Sequence, residues 1–145
     1  MDKHDKYGKE LLKQLLGGRW DSNTSQRSVD ECGVRADLDG VIWSQKGQGV
    51  ECAVEIEARV YKQIRGAMVD LALHNAPKKL MIIILAQPQL GTDKKTKRHL
   101  QYVWQSIAKD RGDIRIVCLK GTGEFPRYEE DKNILSSVLR DLQLL

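Results

Sequence analysis

Four carboxylates stand in two closely spaced pairs, Asp37 with Asp39 and Glu55 with Glu57. Each pair belongs to a stretch in which apolar and polar residues alternate, which is the period of a strand with one buried face. If the two strands pair, all four carboxylates crowd one small patch of sheet. Such a patch repels itself unless a positive charge lies in it. A hard divalent cation with oxygen ligands is the natural occupant.

A β-hairpin is the element that must position these carboxylates. We predict its first strand over residues 35–43 and its second over 50–59. The polar, glycine-containing segment 44–49 between them is typical of a hairpin turn. In this arrangement Asp37 and Asp39 project from one face of the first strand, and Glu55 and Glu57 from one face of the second.

The hairpin is embedded in an alternation of helices and strands. Apolar periodicity predicts helices over 5–16, 60–74, 94–109 and 131–142, and strands over 79–87 and 113–120. The strand over 79–87 is continuously apolar, as expected for burial on both faces. In the third helix Leu100, Val103, Trp104 and Ile107 are predicted to face inward. The fold class is therefore α/β, a mixed central sheet flanked by helices.

Composition limits the classes of protein that fit. The 145 residues suggest one domain, with 41% hydrophobic and 30% charged residues and a net charge of +4 that suits a polyanionic partner. Three scattered cysteines form no metal spacing, which favours a reducing compartment. The N-terminus has no apolar signal core, and the longest apolar run, 80–86, is too short to cross a bilayer. We therefore expect a cytoplasmic protein with no membrane partner.

The order of helix, acidic hairpin, helix and buried strand resembles the PD-(D/E)XK phosphodiesterase superfamily. This is the restriction-endonuclease-like fold of type II restriction enzymes, Holliday-junction resolvases and RecB-type nucleases. The resemblance covers residues 7–85. It predicts that residues 1–145 form a single domain with a restriction-endonuclease-like core, to which an extra C-terminal strand and helices are added.

The resemblance implies a role for each residue that matches the superfamily's motif. The first acidic position falls on Asp37 or Asp39, and the second falls on Glu55. The motif's lysine position falls on Glu57, and some restriction enzymes similarly have Glu-Xaa-Glu there. These four residues are therefore the predicted catalytic acids.

The helices on either side of the hairpin supply further predicted site residues. RecB-type relatives have a glutamine in the second helix, and Gln63 resembles it. At 100° per residue Lys62 lies almost opposite the apolar stripe, whereas Gln63 lies on its flank with Arg59 and Asp70. Arg59 or Gln63 would contact the phosphate or the attacking water. A first-helix glutamate often lies near the metal in this superfamily, and Glu10 is the matching residue.

Phosphodiester hydrolysis explains why these residue types belong together. It needs a positioned water, neutralised phosphoryl oxygens and a stabilised leaving oxyanion, and Mg²⁺ or Mn²⁺ can supply most of this. Asp37 or Asp39 would hold the ion together with Glu55 and the backbone carbonyl of Ile56. Glu57 would orient or deprotonate the water, or help to hold a second ion.

Basic residues indicate where a nucleic acid would lie. The densest basic cluster begins a predicted helix, and three further basic residues lie in loops near the predicted site, where they can contact phosphates. These residues are Lys94, Lys95, Lys97 and Arg98 in the cluster, and Arg19, Arg27 and Lys46 in the loops.

The favoured hypothesis is a Mg²⁺-dependent DNA endonuclease that acts as a homodimer or within a larger nuclease complex. The alternative is a catalytically inactive nuclease-fold protein that binds nucleic acid or serves as an assembly subunit, and the missing lysine favours it. A nucleotide-binding α/β protein of another kind fits less well, because the sequence has no Gly-Xaa-Gly-Xaa-Xaa-Gly and no phosphate-loop motif.

Overall fold

The computed structural model describes residues 3–22, 28–29, 35–58, 61–84, 92–121 and 127–145. Within these ranges the predicted helices and strands follow one another in the expected order, and short strands before Gly40 are additional. The elements are α1 (Lys3–Leu16), a 3-10 turn (Gly17–Arg19), β1 (Trp20–Asp21), β2 (Ser28–Val29), β3 (Arg35–Ala36), β4 (Gly40–Trp43), β5 (Val50–Glu57), α2 (Tyr61–Leu73), β6 (Lys78–Ile84), α3 (Thr92–Ile107), β7 (Asp113–Leu119) and α4 (Tyr128–Asp141).

A five-stranded mixed sheet forms the centre of the fold, in the order β1-β4-β5-β6-β7. β1, β4 and β5 pair antiparallel, whereas β5, β6 and β7 run parallel. The connection between two parallel strands needs a crossover, which α2 and α3 provide. The predicted α/β class, with a mixed sheet flanked by helices, is confirmed.

Helices cover both faces of the sheet, so the core has two layers. On one face α1 and α4 pack against Cys52, Val54 and Ile56 of β5. On the other face α2 and α3 pack against Ala53, with Met81 of β6 in the same cluster. Alternate residues of β5 therefore point to opposite helix pairs, which is why this strand has few polar residues before Glu55.

The predicted helices and buried strands are present, with ends shifted by at most three residues where the structure describes them. Cys52 is fully buried, as an apolar residue would be, while Cys32 lies outside the described residues. The prediction for Ile107 is wrong, because its side chain is 57% exposed where α3 ends. The other three inward positions of α3 are buried or half-buried.

The predicted first hairpin strand, 35–43, is broken. Arg35–Ala36 pairs with β2 in a separate two-stranded ladder, and residues 37–39 have no strand geometry. Only Gly40–Trp43 joins the main sheet, beside β1, which the sequence did not reveal. The prediction that Asp37 and Asp39 share one strand face is therefore wrong.

Gly40 is the residue that permits β4 to enter the sheet between β1 and β5. A Cβ at this position would lie 2.8 Å from Trp20 Cζ2 and 2.6 Å from the carbonyl oxygen of Asp21. No other residue has room for such a close approach. The turn that follows is the predicted one, since the Ser44 N–H donates to the Gly49 carbonyl at 3.0 Å and Gly47 and Gly49 have positive φ.

A buried polar cluster ties α1 to the ends of β7 and α4. The Asp131 carboxylate, which is fully buried, accepts hydrogen bonds from the Tyr7 hydroxyl (2.6 Å) and from the backbone N–H groups of Lys120 (2.8 Å) and Gly121 (2.9 Å). Burial, and then the bond to Asp131, raises the pKa of Tyr7, so its hydroxyl stays a donor. This cluster fixes α1 at the carboxyl ends of the parallel strands.

Replacing Asp131 by alanine should destabilise the protein by about 3 kcal/mol, because three hydrogen-bond donors, two of them buried, lose their acceptor. Urea unfolding measures this change. Glu129→Ala, at an exposed position in the same helical turn, serves as the matched control and should change stability by less than about 0.5 kcal/mol. Equal stabilities of the two variants would contradict the role given to the buried cluster.

Candidate metal centre

The β4–β5 ladder brings Asp39 next to Glu55. The ladder ends with Gly40 opposite Val54, so the next residues outward are Asp39, directly before β4, and Glu55 of β5. The backbone N–H of Asp39 donates to Glu55 Oε1 at 3.0 Å. In return, the backbone N–H of Ile56 donates to Asp39 Oδ2 at 2.6 Å. Each carboxylate is thus fixed by the backbone of the segment that carries the other.

Burial and neighbouring charges destabilise the ionised form of each carboxyl group. Burial first, and then the charge of Asp39, raises the pKa of Glu55 to about 9, although the N–H of Asp39 opposes the shift. Burial likewise raises the pKa of Asp39 to about 6, against the N–H of Ile56. Glu57 adds to both shifts. A cation between them would relieve both the repulsion and the burial cost.

Helix α2 adds a carboxylate that the sequence analysis did not assign to the site. The charge of Asp70 raises the pKa of Glu55, and burial and the charge of Asp37 raise the pKa of Asp70 itself. Asp37, which is exposed, therefore lies near α2. The flank position of Asp70 on the helical wheel was the available signal, and the resemblance drew attention to its neighbour Gln63 instead.

The remaining predicted residues around the pair are placed as follows. Glu57 is half-buried, and its Oε1 accepts the N–H of Ala58 at 3.2 Å. Gln63 is exposed on α2. Arg59 lies outside the described residues. The roles predicted for these three side chains therefore stay predictions.

Helix α1 contributes Asp5 and Lys9 to the electrostatics of the pair. The charge of Asp5 raises the pKa of Asp39, and that of Lys9 lowers it. The two residues are one helical turn apart and lie on one face. Glu10, the predicted first-helix ligand, is exposed, and its Oε1 accepts a hydrogen bond from Gln14 Nε2 at 3.5 Å.

The donor set suits a cation that needs few protein ligands. In the part of the chain that the structure describes, no three His, Cys, Asp or Glu side chains are arranged to hold a metal ion. Mg²⁺, however, is usually bound by one or two carboxylates and keeps several waters. Asp39 and Glu55 fit this requirement, because each uses one oxygen in the exchange and can present the other. The N–H of Ile56 is bonded to Asp39, and the role of its carbonyl stays a prediction.

The predicted nucleic-acid contacts divide into two groups. Lys94, Lys95 and Arg98 are exposed and Lys97 is half-buried on α3. The charge of Lys97 lowers the pKa of the Cys118 thiol, which lies near the carboxyl end of β7. Helix α3 therefore begins at the same end of the parallel strands as Glu55. These four residues remain predicted contacts.

The two loop residues that the structure describes are not near the carboxylate pair. Lys46 lies in the turn before β5. Even Val50, where the strand begins, is five residues from Glu55, or roughly 16 Å along the strand. Arg19 is bound at the same end, where Nε donates to the Trp43 carbonyl at 3.1 Å. The prediction that these residues lie near the site is wrong, and Arg27 lies outside the described residues.

A cavity of about 730 Å³ lies at the opposite end of the sheet, between the end of α3 and the start of β7. In open sheets with parallel strands, ligands bind outside the carboxyl ends of the strands. Glu55 and Glu57 lie at the carboxyl end of β5, so the cavity's position gives no reason to move the site.

Comparisons of the chain with protein-family models, with curated proteins and with solved structures find no match. None of the described helices has the length and apolar character needed to cross a membrane.

The thermal stability of the cation-free protein should fall as pH rises from 6 to 8. The ordinary pKa of Glu55 is 4.5 and its folded value is about 9, so between these values the folded state binds the extra proton and loses stability with rising pH. We expect a loss of about 2 kcal/mol, or a melting temperature lower by roughly 6 °C. Scanning calorimetry in the presence of EDTA measures it.

Glu55→Gln removes the titrating group and should flatten this pH dependence. Glu51→Gln is the control, because Glu51 lies on the same strand but pairs with Lys78 at 2.8 Å, away from Asp39. A pH profile that Glu55→Gln leaves unchanged would refute the raised pKa.

Proposed function

We propose that the protein is a Mg²⁺-dependent phosphodiesterase that acts on DNA as an endonuclease. The observation that carries the proposal is the pair of hydrogen bonds at the open end of the β4–β5 ladder, from the Asp39 N–H to the Glu55 carboxylate and from the Ile56 N–H to the Asp39 carboxylate. It fixes the buried Glu55 carboxyl group beside the half-buried Asp39 carboxyl group, and ionising both costs free energy unless a cation joins them. Superfolds host many functions, so the proposal rests on this site and not on the α/β architecture.

The chemistry assigns distinct tasks to the residues of the pair. Bound Mg²⁺ or Mn²⁺ would supply charge neutralisation on the phosphoryl oxygens and lower the pKa of a water. Asp39 and Glu55 would hold the ion, and the N–H of Ile56 keeps Asp39 in its orientation. Glu57, two residues along the strand from Glu55, accepts a proton from the attacking water. Asp70 adds negative charge that strengthens cation binding.

DNA is the proposed substrate because the surroundings of the pair offer positive charge at longer range. The chain has a net charge of +4. Exposed lysines and an arginine lie in the first turns of α3. In addition, Arg65 Nη1 of α2 lies 3.4 Å from His99 Nε2 of α3. Such groups bind phosphates and position the backbone without reading bases. A two-fold homodimer would present one pair to each strand of a duplex, which is the oligomeric state we propose.

Purified protein with Mg²⁺ or Mn²⁺ should convert supercoiled plasmid DNA to nicked and linear forms. Asp39→Asn and Glu55→Gln should each lower the rate by more than about 100-fold, because each removes a carboxylate that holds the ion. Glu51→Gln is the matched control from the same strand and should cleave at close to the wild-type rate. Gel electrophoresis of plasmid, single-stranded and branched DNA follows the products.

Two outcomes would contradict the assignment. If DNA binds but no substrate is cleaved with either metal, the protein is instead a nuclease-fold protein that binds nucleic acid or serves as an assembly subunit, the alternative favoured by Glu57 at the lysine position. If cleavage survives both Asp39→Asn and Glu55→Gln, the catalytic centre lies elsewhere.

A further inference from the structure

A lysine-lined groove runs along α1 on the outside of the molecule. Its volume is about 600 Å³, and Lys6, Lys9 and Lys13 line it together with Trp20 and Glu10. The three lysines are spaced i, i+3 and i+7, so they lie on one face of the helix and extend for about 10 Å. Glu10 was predicted to lie near the metal, whereas no role was predicted for the three lysines.

The groove meets the carboxylate pair at two independent points. Lys9 lines the groove, and its positive charge lowers the pKa of Asp39. Trp20 lines the groove too, and its ring packs against Gly40, the residue directly after Asp39. The part of the groove formed by Lys9 and Trp20 therefore lies close to Asp39.

A close helix–strand contact fixes this geometry. A Cβ on Gly8 would lie 3.0 Å from Ile56 Cγ2 and 3.4 Å from Ile84 Cδ1. Glycine thus lets α1 lie against β5 at Ile56, whose N–H is bonded to Asp39. Lys9 follows Gly8 directly, so its position relative to the pair is set by packed backbone and not by a loop.

We propose that this α1 groove binds the sugar–phosphate backbone of a nucleic acid strand and leads it to the Asp39–Glu55 pair. B-DNA carries one phosphate per 3.4 Å of axis on each strand, so about 10 Å of lysines matches about three phosphates. Lys9 contacts the phosphate nearest the pair, while Lys6 and Lys13 contact its neighbours. The proposal deepens the proposed function and rests on it for the identity of the ligand.

The groove also contains a negative charge, which allows a second test. Glu10 places a carboxylate among the lysines. A phosphate backbone in the groove would be repelled by it, because like charges at short range are unfavourable. Glu10→Gln should therefore bind nucleic acid more tightly than the wild type, whereas Glu129→Gln, at an exposed position of α4, should not.

The test measures binding separately from cleavage. Fluorescence anisotropy of a labelled oligodeoxynucleotide, as single strand and as duplex, is titrated in EDTA over a range of salt concentrations. The variant Lys6→Gln with Lys13→Gln removes two exposed groove charges. The control Lys109→Gln with Arg140→Gln removes two exposed charges elsewhere. Circular dichroism confirms that both are folded.

We expect the groove variant to lose on the order of tenfold in affinity at low salt, and the slope of log K against log salt to fall by roughly 1.5 to 2. The control should match the wild type. Lys9→Gln should weaken binding, and Lys9→Arg should restore it.

The failures of the two proposals are distinguishable. If the wild type cleaves DNA while the groove variant and the control have equal slopes, the groove is overturned and the phosphodiesterase stands. If the groove variant loses affinity but the wild type never cleaves, the groove stands and the phosphodiesterase fails. If the wild type does not bind nucleic acid at all, the groove proposal is overturned.

Discussion

The carboxylates of Asp39 and Glu55 are held side by side by hydrogen bonds that continue the β4–β5 ladder. Each side chain accepts an N–H from the segment that carries the other, so neither can turn away without breaking a bond to the main chain. Burial raises both pKa values, and the charge of Asp39 raises that of Glu55 further. A fold keeps such an unfavourable arrangement only when the surrounding structure determines it, and such arrangements concentrate at functional sites.

Close packing at small residues supplies that determination. Gly40 lets β4 enter the sheet beside Trp20, which places Asp39 at the end of the ladder. Gly8 lets α1 lie on Ile56, and the buried Tyr7–Asp131 bond fixes the same helix at the carboxyl ends of the parallel strands. The acidic pair and the lysine face of α1 are thus parts of one rigid arrangement. The positions of these charges relative to one another are therefore set by the packing of the backbone.

The apolar periods of α1, α2, α3 and α4 and the continuous run of β6 were sufficient to predict the fold class, because one stripe or both faces of each element are buried. The position of Glu55 near the carboxyl end of β5 could be predicted as well, because the apolar and polar alternation continues through Glu57. Asp39 was predicted to lie within a strand, whereas it lies directly before β4. Alternation through 35–43 looks like one strand, and nothing local shows that Gly40 must pass beside Trp20. The contributions of Asp70, Asp5 and Lys9 depend on how α2 and α1 pack against β5, which periodicity does not specify beyond the buried stripe.

Proton release on cation binding tests the central claim most directly. Because the pKa of Glu55 is raised to about 9, the cation-free pair holds a proton at pH 7, and a divalent cation must displace it. Calorimetric titration of Mn²⁺ into the protein in two buffers of different ionisation enthalpy counts the protons. We predict release of about one proton per cation at pH 7, lost in Glu55→Gln. Cation binding without proton release, binding that Glu55→Gln leaves unchanged, or no binding would contradict the account.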